Sequence, residues 1–342
     1  MPKSTIYLDH AATTPILPQV QEAIGDAMRE WANPSSQHGS GRAARAQLEA
    51  ARERVKQALG WPGEVIFTGG ASEALAIGYT RAQALRRAAS GVEHPAVSRL
   101  AERDAVIPVD RLGRIDPGAL PSVDLIAVQQ LNNETGVIQP ALGEAIRGKG
   151  AVWLADCAQG AGKLPLPDAD MIVIAGHKVG APPGVGALLV RNFGLIQPSG
   201  GQERGYRGGT ENLPYIMGLA AALEADSSWL LGAAVLRGWF EDEIRDMGGE
   251  VIGEGAERIA TIGAYRLPGV NATTVLIRAD MAGIAISAGS ACSSGSLKPS
   301  PVILAMGRSE EEAREVFRVS IGRETRREDL AALVKVLREL RR

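Results

Sequence analysis

Cysteine is nearly absent: Cys157 and Cys292 are the only two in 342 residues. So few exclude a disulfide framework and fit a reducing cytosol. There is no CxxC pair and no His/Cys cluster at metal-ligand spacing, which argues against a protein-built zinc or iron–sulfur site. Charge of one sign is lacking too. The formal net charge is −2, with Lys and Arg mixed among Asp and Glu, which argues against a nucleic-acid or anionic-membrane surface as the main business of the fold. No uncharged apolar run reaches membrane-spanning length, and Met1 to His10 lacks the apolar core of a signal peptide. Repeats and low-complexity tails are missing as well. The expectation is a soluble, cytoplasmic protein.

What is present is ordinary globular material, 45% hydrophobic and 22% charged. A chain of 342 residues exceeds one ordinary core and predicts a large domain plus a smaller one. Helical spacing covers residues 19–31 and 42–59. Strand-like runs lie at 64–68, 105–109, 125–130, 152–155, 171–175 and 186–190, with helical stretches at 72–89 and 141–147. This β/α alternation predicts an α/β fold with a mainly parallel sheet flanked by helices. After a Gly-rich passage at 199–210 comes a long Ala/Leu-rich helical region. Strand-like pieces around 251, at 273–277 and at 284–287 follow, with a closing amphipathic helix from Glu328. The predicted boundary near 225 divides a large domain, 15–225, from a small α+β domain made of 1–14 and 226–342.

In open α/β sheets, ligands bind at the carboxyl ends of strands. Thr68-Gly69-Gly70-Ala71-Ser72-Glu73 is a strand, a Gly turn and a helix start, whose free N–H groups suit a phosphate. Polar clusters follow at Glu93-His94-Pro95, Asn132 to Gly136, Asp156 to Gln159 and Gly176-His177-Lys178. Lys178 can form a Schiff base if its pKa is lowered. Asp156 can keep a pyridine nitrogen protonated, and together the two point to pyridoxal phosphate. All four histidines, His10, His38, His94 and His177, sit in polar clusters, which points to a shared site. Cys292 lies in Ala288-Gly289-Ser290-Ala291-Cys292-Ser293-Ser294-Gly295-Ser296, a run that suggests a mobile, solvated loop able to carry sulfur to a reacting centre. A free thiol ionises near about pH 8.5, so this one needs a partner to be reactive at neutral pH.

Over essentially its whole length, the chain resembles the cysteine desulfurases, the NifS-like (group I) branch of the class V aminotransferases. The segments that carry the resemblance are Tyr7 to Pro15, Asn33 to His38, Glu93 to Val97, Asn132 to Pro140, Asp156 to Pro165, Gly176 to Lys178, Gly200 to Gly205, Arg207 to Asn212, Gly289 to Gly295 and Arg318 to Arg323. The resemblance implies a fold type I transferase that depends on pyridoxal 5'-phosphate and converts L-cysteine to L-alanine through an enzyme persulfide. It matches Lys178 to the lysine that holds the cofactor and later moves protons at the substrate α-carbon. Asp156 then lies under the ring nitrogen, Gln159 donates to the ring phenolic oxygen, and His94 stacks on the ring. Asn133 lies near the ring oxygen and the substrate carboxylate, and Ser72 and His177 touch the phosphate. Thr210 matches a phosphate contact supplied to a neighbouring subunit, which implies a homodimer. Arg318 matches the arginine that grips the substrate carboxylate; by itself it reads as a surface arginine on a charged helix. Cys292 attacks the substrate sulfur, and its persulfide goes to an acceptor or scaffold protein in iron–sulfur cluster assembly or tRNA thiolation. Cys157 reads as a packed residue behind Asp156.

The sequence also departs from that pattern. Ala175 stands where a phosphate-binding serine is usual, which removes a hydrogen bond with a net value of about 1 kcal/mol. Ser72 replaces threonine, Pro183 replaces a frequent lysine, and the stretch between Leu276 and Ile284 is short. Two other functions fit these residues: a different class V reaction, selenocysteine lyase or aminotransferase, and a weakly active sulfur-transfer partner protein.

Overall fold

The computed structural model describes residues 5–289 and 298–341. The strands are β1 (Ile6–Tyr7), β2 (Glu64–Thr68), β3 (Arg87–Ser90), β4 (Ala105–Ile107), β5 (Leu125–Ala127), β6 (Val152–Asp156), β7 (Met171–Ala175), β8 (Gly186–Val190), β9 (Glu250–Val251), β10 (Ile262–Arg266), β11 (Ile284–Ala285), β12 (Ser287–Ala288) and β13 (Val316–Ser320).

A seven-stranded sheet in the order β2-β8-β7-β6-β5-β3-β4 forms the centre. From β4 across to β7 every pairing is parallel. β8 runs antiparallel to both β7 and β2 and turns that edge around. The expected mainly parallel sheet is therefore present. All residues of β7 and β8 are buried and nearly all are apolar, as strands covered on both faces must be. Helices Pro18–Arg29, Gly39–Leu59 and Leu213–Leu223 cover one face, where Val20, Leu48, Val55 and Leu219 meet Ile172 and Ile174. Helix Ala71–Thr80 covers the other face, with Leu75 against Val173 and Leu188.

A four-stranded antiparallel sheet, β12-β13-β10-β9, forms a second layer. Phe240, Tyr265, Phe317, Leu333 and Leu337 fill its core, under helices Trp229–Asp246 and Arg327–Leu340. Leu8 packs into this core, and β1 pairs in parallel with β11.

Two local readings change and a third gains detail. The helix expected over 72–89 stops at Thr80, and Arg87–Ser90 is instead β3, held between β4 and β5. The long Ala/Leu-rich helical region after 210 is divided into two helices, Leu213–Leu223 and Trp229–Asp246. Residues 273–277, rich in β-branched side chains, are helical within Ala272–Met281. There Asn271 accepts a hydrogen bond from the Thr273 N–H, and Ala272, Val275 and Ala279 form the buried stripe.

Candidate active site

The carboxyl ends of the parallel strands open into a cavity of about 710 Å³. β7 leads into the turn Gly176–Lys178, so both His177 and Lys178 line it. Asp156, the last residue of β6, and Gln159 form its floor, while His94 enters from the turn after β3. Gly69, Gly70 and Ser72 bring the first turn of helix Ala71–Thr80 to the opposite wall. β8 allows this close approach only because Gly186 has no side chain: a Cβ there would lie 2.8 Å from the Gly70 backbone. Asn133 lines the cavity from the turn after β5, and Arg318 reaches it from β13 in the second sheet.

The electrostatics suit carbonyl and proton chemistry. Lys178 Nζ donates to the Ala12 carbonyl at 2.8 Å and to the Ala11 carbonyl, with no carboxylate bound to it among the described residues. Burial, with Arg318 adding to it, lowers Lys178 to about 8, against the opposing pull of Asp9 and Asp156. A lysine so placed is partly neutral near physiological pH and can act as a nucleophile. Asp156 Oδ1 accepts the Ala158 N–H at 2.9 Å. Burial raises the Asp156 carboxyl above its ordinary value, against that hydrogen bond and the charges of His94 and Lys178. His94 accepts the Ala96 N–H on Nδ1 at 3.1 Å, which fixes the ring orientation. Desolvation by the cavity walls holds His94 below its ordinary value, with Lys178 and Arg99 adding to the effect. His177 falls to about 4, from burial first and Lys178 second. Gln159 Nε2 donates to the Ala11 carbonyl at 2.8 Å, and its buried Oε1 has no partner among the described residues.

The structure thus brings Ser72, His94, Asn133, Asp156, Gln159, His177, Lys178 and Arg318 to one cavity. It does not bring Thr210 there: that residue is exposed and outside the lining. His38 does not join the site either; its Nδ1 accepts the Gly41 N–H and caps helix Gly39–Leu59. His10 lines a small adjoining cavity with Lys163 and Arg323, so the expectation that all four histidines share one site is corrected to two. Arg318 is no surface arginine on a helix; it is 9% exposed in the middle of β13. Ala175 also lines the cavity, so the hydroxyl that a serine would carry is lacking at its wall. Cys292 lies outside the described residues. Ser287 and Gly289, just before it, line the cavity. Cys157 is a fully buried thiol, pushed well above its usual pKa by burial and by Asp156.

Sequence reasoning missed several groups here. Asp9 accepts from Arg318 Nη2 at 2.8 Å. Glu93, next to His94, is buried and raised to about 8 by burial, against hydrogen bonds from Ser90 and the Gln129 N–H. Glu134 is buried and accepts the Ser300 hydroxyl at 2.5 Å. Position was the available signal, since each adjoins a residue already singled out.

The family model described as aminotransferase class-V matches residues 6–333. A cysteine desulfurase of Rhodobacter capsulatus is 36% identical, over 99% of this chain and 97% of its own. Cysteine desulfurase IscS 1 of Archaeoglobus fulgidus is 34% identical, over 97% of this chain and 95% of its own. Among solved structures, a NifS-like protein from Rickettsia africae superposes with a TM-score of 0.90 at 28% identity, covering 98% of this chain and 99% of its own. The chain belongs to the aminotransferase class-V family.

Proposed function

We propose that the protein is a pyridoxal phosphate-dependent cysteine desulfurase. One observation carries the reading: Lys178, Asp156 and His94 converge on one cavity whose wall includes Arg318 and the residues leading to Cys292. The residues fit the cofactor. A buried carboxyl stands at the cavity floor, a lysine with no carboxylate partner among the described residues faces it, and a helix start with its Gly turn supplies N–H donors opposite. When bound, the cofactor supplies an aldehyde and an electron sink.

The side chains then divide the work. Asp156 would hold the proton on the ring nitrogen, and Gln159 would donate to the ring oxygen. Ser72 and His177 would hold the phosphate, with Thr210 serving a second copy of the chain, a reading its exposed position supports. Lys178 would exchange its carbonyl hydrogen bonds for the cofactor and later carry a proton to and from the substrate α-carbon. His94, largely neutral at physiological pH, can accept and return a proton beside it. Arg318 and Asn133 would orient the substrate carboxylate. The Cys292 thiolate would attack the sulfur of L-cysteine, so that the C–S bond breaks, a Cys292 persulfide forms and L-alanine leaves. That sulfur would pass to an acceptor protein for iron–sulfur cluster assembly or tRNA thiolation.

The test is incubation of the purified protein with L-cysteine and a thiol reductant, which frees the persulfide sulfur as sulfide, and measurement of alanine and sulfide. Wild type is expected to give both, and Lys178→Ala and Cys292→Ser neither. A protein that never yields alanine would end the desulfurase reading.

A further inference from the structure

We propose that Asp9 is the positioning residue of the substrate-carboxylate site: it holds one end of the Arg318 guanidinium and so fixes how that group meets an incoming carboxylate. The proposal rests on the desulfurase reading and names the device by which its carboxylate site is set. Arg318 Nη2 donates to Asp9 Oδ1 at 2.8 Å, and Nη1 donates to the Asn133 carbonyl at 2.9 Å. Its Nε is buried and has no partner among the described residues. Arg318 lines the cavity with both ends of its guanidinium held, so these two contacts set the plane it presents to an incoming carboxylate.

Asp9 is itself firmly placed. Its backbone bridges to Ser320, on the same strand as Arg318. Ser320 N–H donates to the Leu8 carbonyl at 2.8 Å, and the Ser320 hydroxyl accepts the Ala11 N–H at 2.9 Å. The Asp9 carbonyl accepts the Ala12 N–H at 3.0 Å and the Tyr7 hydroxyl at 3.2 Å. One junction therefore fixes both members of the pair. It also carries the Ala11 and Ala12 carbonyls that hold Lys178.

The pair sets charge as well as orientation. Lys178 is faced by Asp9 and Arg318 from the second layer, by Asp156 from β6, and by His94, His177 and Lys163 from the surrounding turns. Arg318 favours the neutral amine, and Asp9 opposes it. Asp9→Asn keeps an acceptor oxygen but removes the charge, whereas Asp9→Ala removes both.

Three measurements test the proposal. In crystals of cofactor-free protein, Arg318 is expected to stay on the Asn133 carbonyl in Asp9→Asn and to leave it in Asp9→Ala. In steady-state assays, Asp9→Ala is expected to raise KM for L-cysteine about tenfold with little change in kcat, the pattern of lost uniform binding. Asp9→Asn is expected to keep KM at or below the wild-type value. In cofactor-loaded Asp9→Asn, the pH titration of the visible absorption band is expected to move to lower pH. A fall in KM for Asp9→Ala would mean that Asp9 obstructs the site and would overturn the proposal. So would an unmoved guanidinium together with an unmoved titration. If wild-type protein neither takes up the cofactor nor consumes cysteine, the desulfurase reading fails, and the crystal comparison still judges the Asp9–Arg318 device.

Discussion

Glu203→Gln is expected to cost the fold about 3 kcal/mol, at the low end of the range for breaking a buried ion pair. Arg52 is 1% exposed and Glu203 2%. Glu203 Oε2 accepts from Arg52 Nη1 and from the Phe67 N–H, both at 2.8 Å, and Oε1 accepts Arg52 Nη2 at 3.2 Å. The glutamine keeps one acceptor oxygen but turns an NH2 group toward donors, leaving a guanidinium without its buried counter-charge. Glu49, 3.1 Å from Arg52 Nε and partly exposed, offsets some of that loss, which is why the low end applies. The pair also anchors the turn Glu203–Gly205, where Glu203 (φ 48°) and Arg204 (φ 58°) adopt left-handed backbone that costs roughly 1–2 kcal/mol per residue. Urea unfolding followed by circular dichroism measures the effect: the midpoint falls while the slope stays constant. Arg52→Met combined with Glu203→Gln is expected to recover part of the loss, because it removes the uncompensated charge but not the deficit at Phe67. A single-variant cost under about 1 kcal/mol, the scale of an exposed pair, would refute the reasoning.

The pH dependence of the cofactor-free protein follows from Lys178, whose value is about 8 when folded and 10.5 for the free side chain. Between those values the unfolded chain binds more protons, so stability is expected to rise with pH; Lys178→Met is expected to flatten the rise, and Lys163, also near 8, to account for what remains. Urea midpoints on either side of that window check it. Native Cys157 is expected to resist iodoacetamide and to react once the chain unfolds, read by mass spectrometry, because it is buried with a raised pKa. Gly186→Ala is expected to displace the Gly70 turn, to cost about 1–3 kcal/mol in overpacking and to lose cofactor absorbance at stoichiometric loading.

Much of this architecture was legible because sequence and burial agree where a strand is covered on both faces. β2, β7 and β8 occupy the very residues the apolar runs predict. The polar clusters were readable for a related reason: a buried strand has no need of Asp156 or Lys178 at its end unless something binds there. Tertiary pairing overrode local preference elsewhere. Arg87–Ser90 continues an Ala/Arg-rich stretch with no Gly or Pro between Thr80 and Ser90 to break it, and only its place between β4 and β5 makes it a strand. Residues 273–277 failed in the opposite sense, since an Asn cap and a three-residue apolar stripe outweighed β-branched composition. For Asp9 the sequence offered only its position beside His10 and not its role, because its partner Arg318 lies 309 residues away.

The central claim is tested most directly by mass spectrometry of the protein after brief exposure to L-cysteine without reductant. The account predicts one additional sulfur atom on the peptide that contains Cys292, none on that of Cys157, and none at all in Lys178→Ala. Alanine production with Cys292 unmodified, or an extra sulfur that persists in Lys178→Ala, would contradict it.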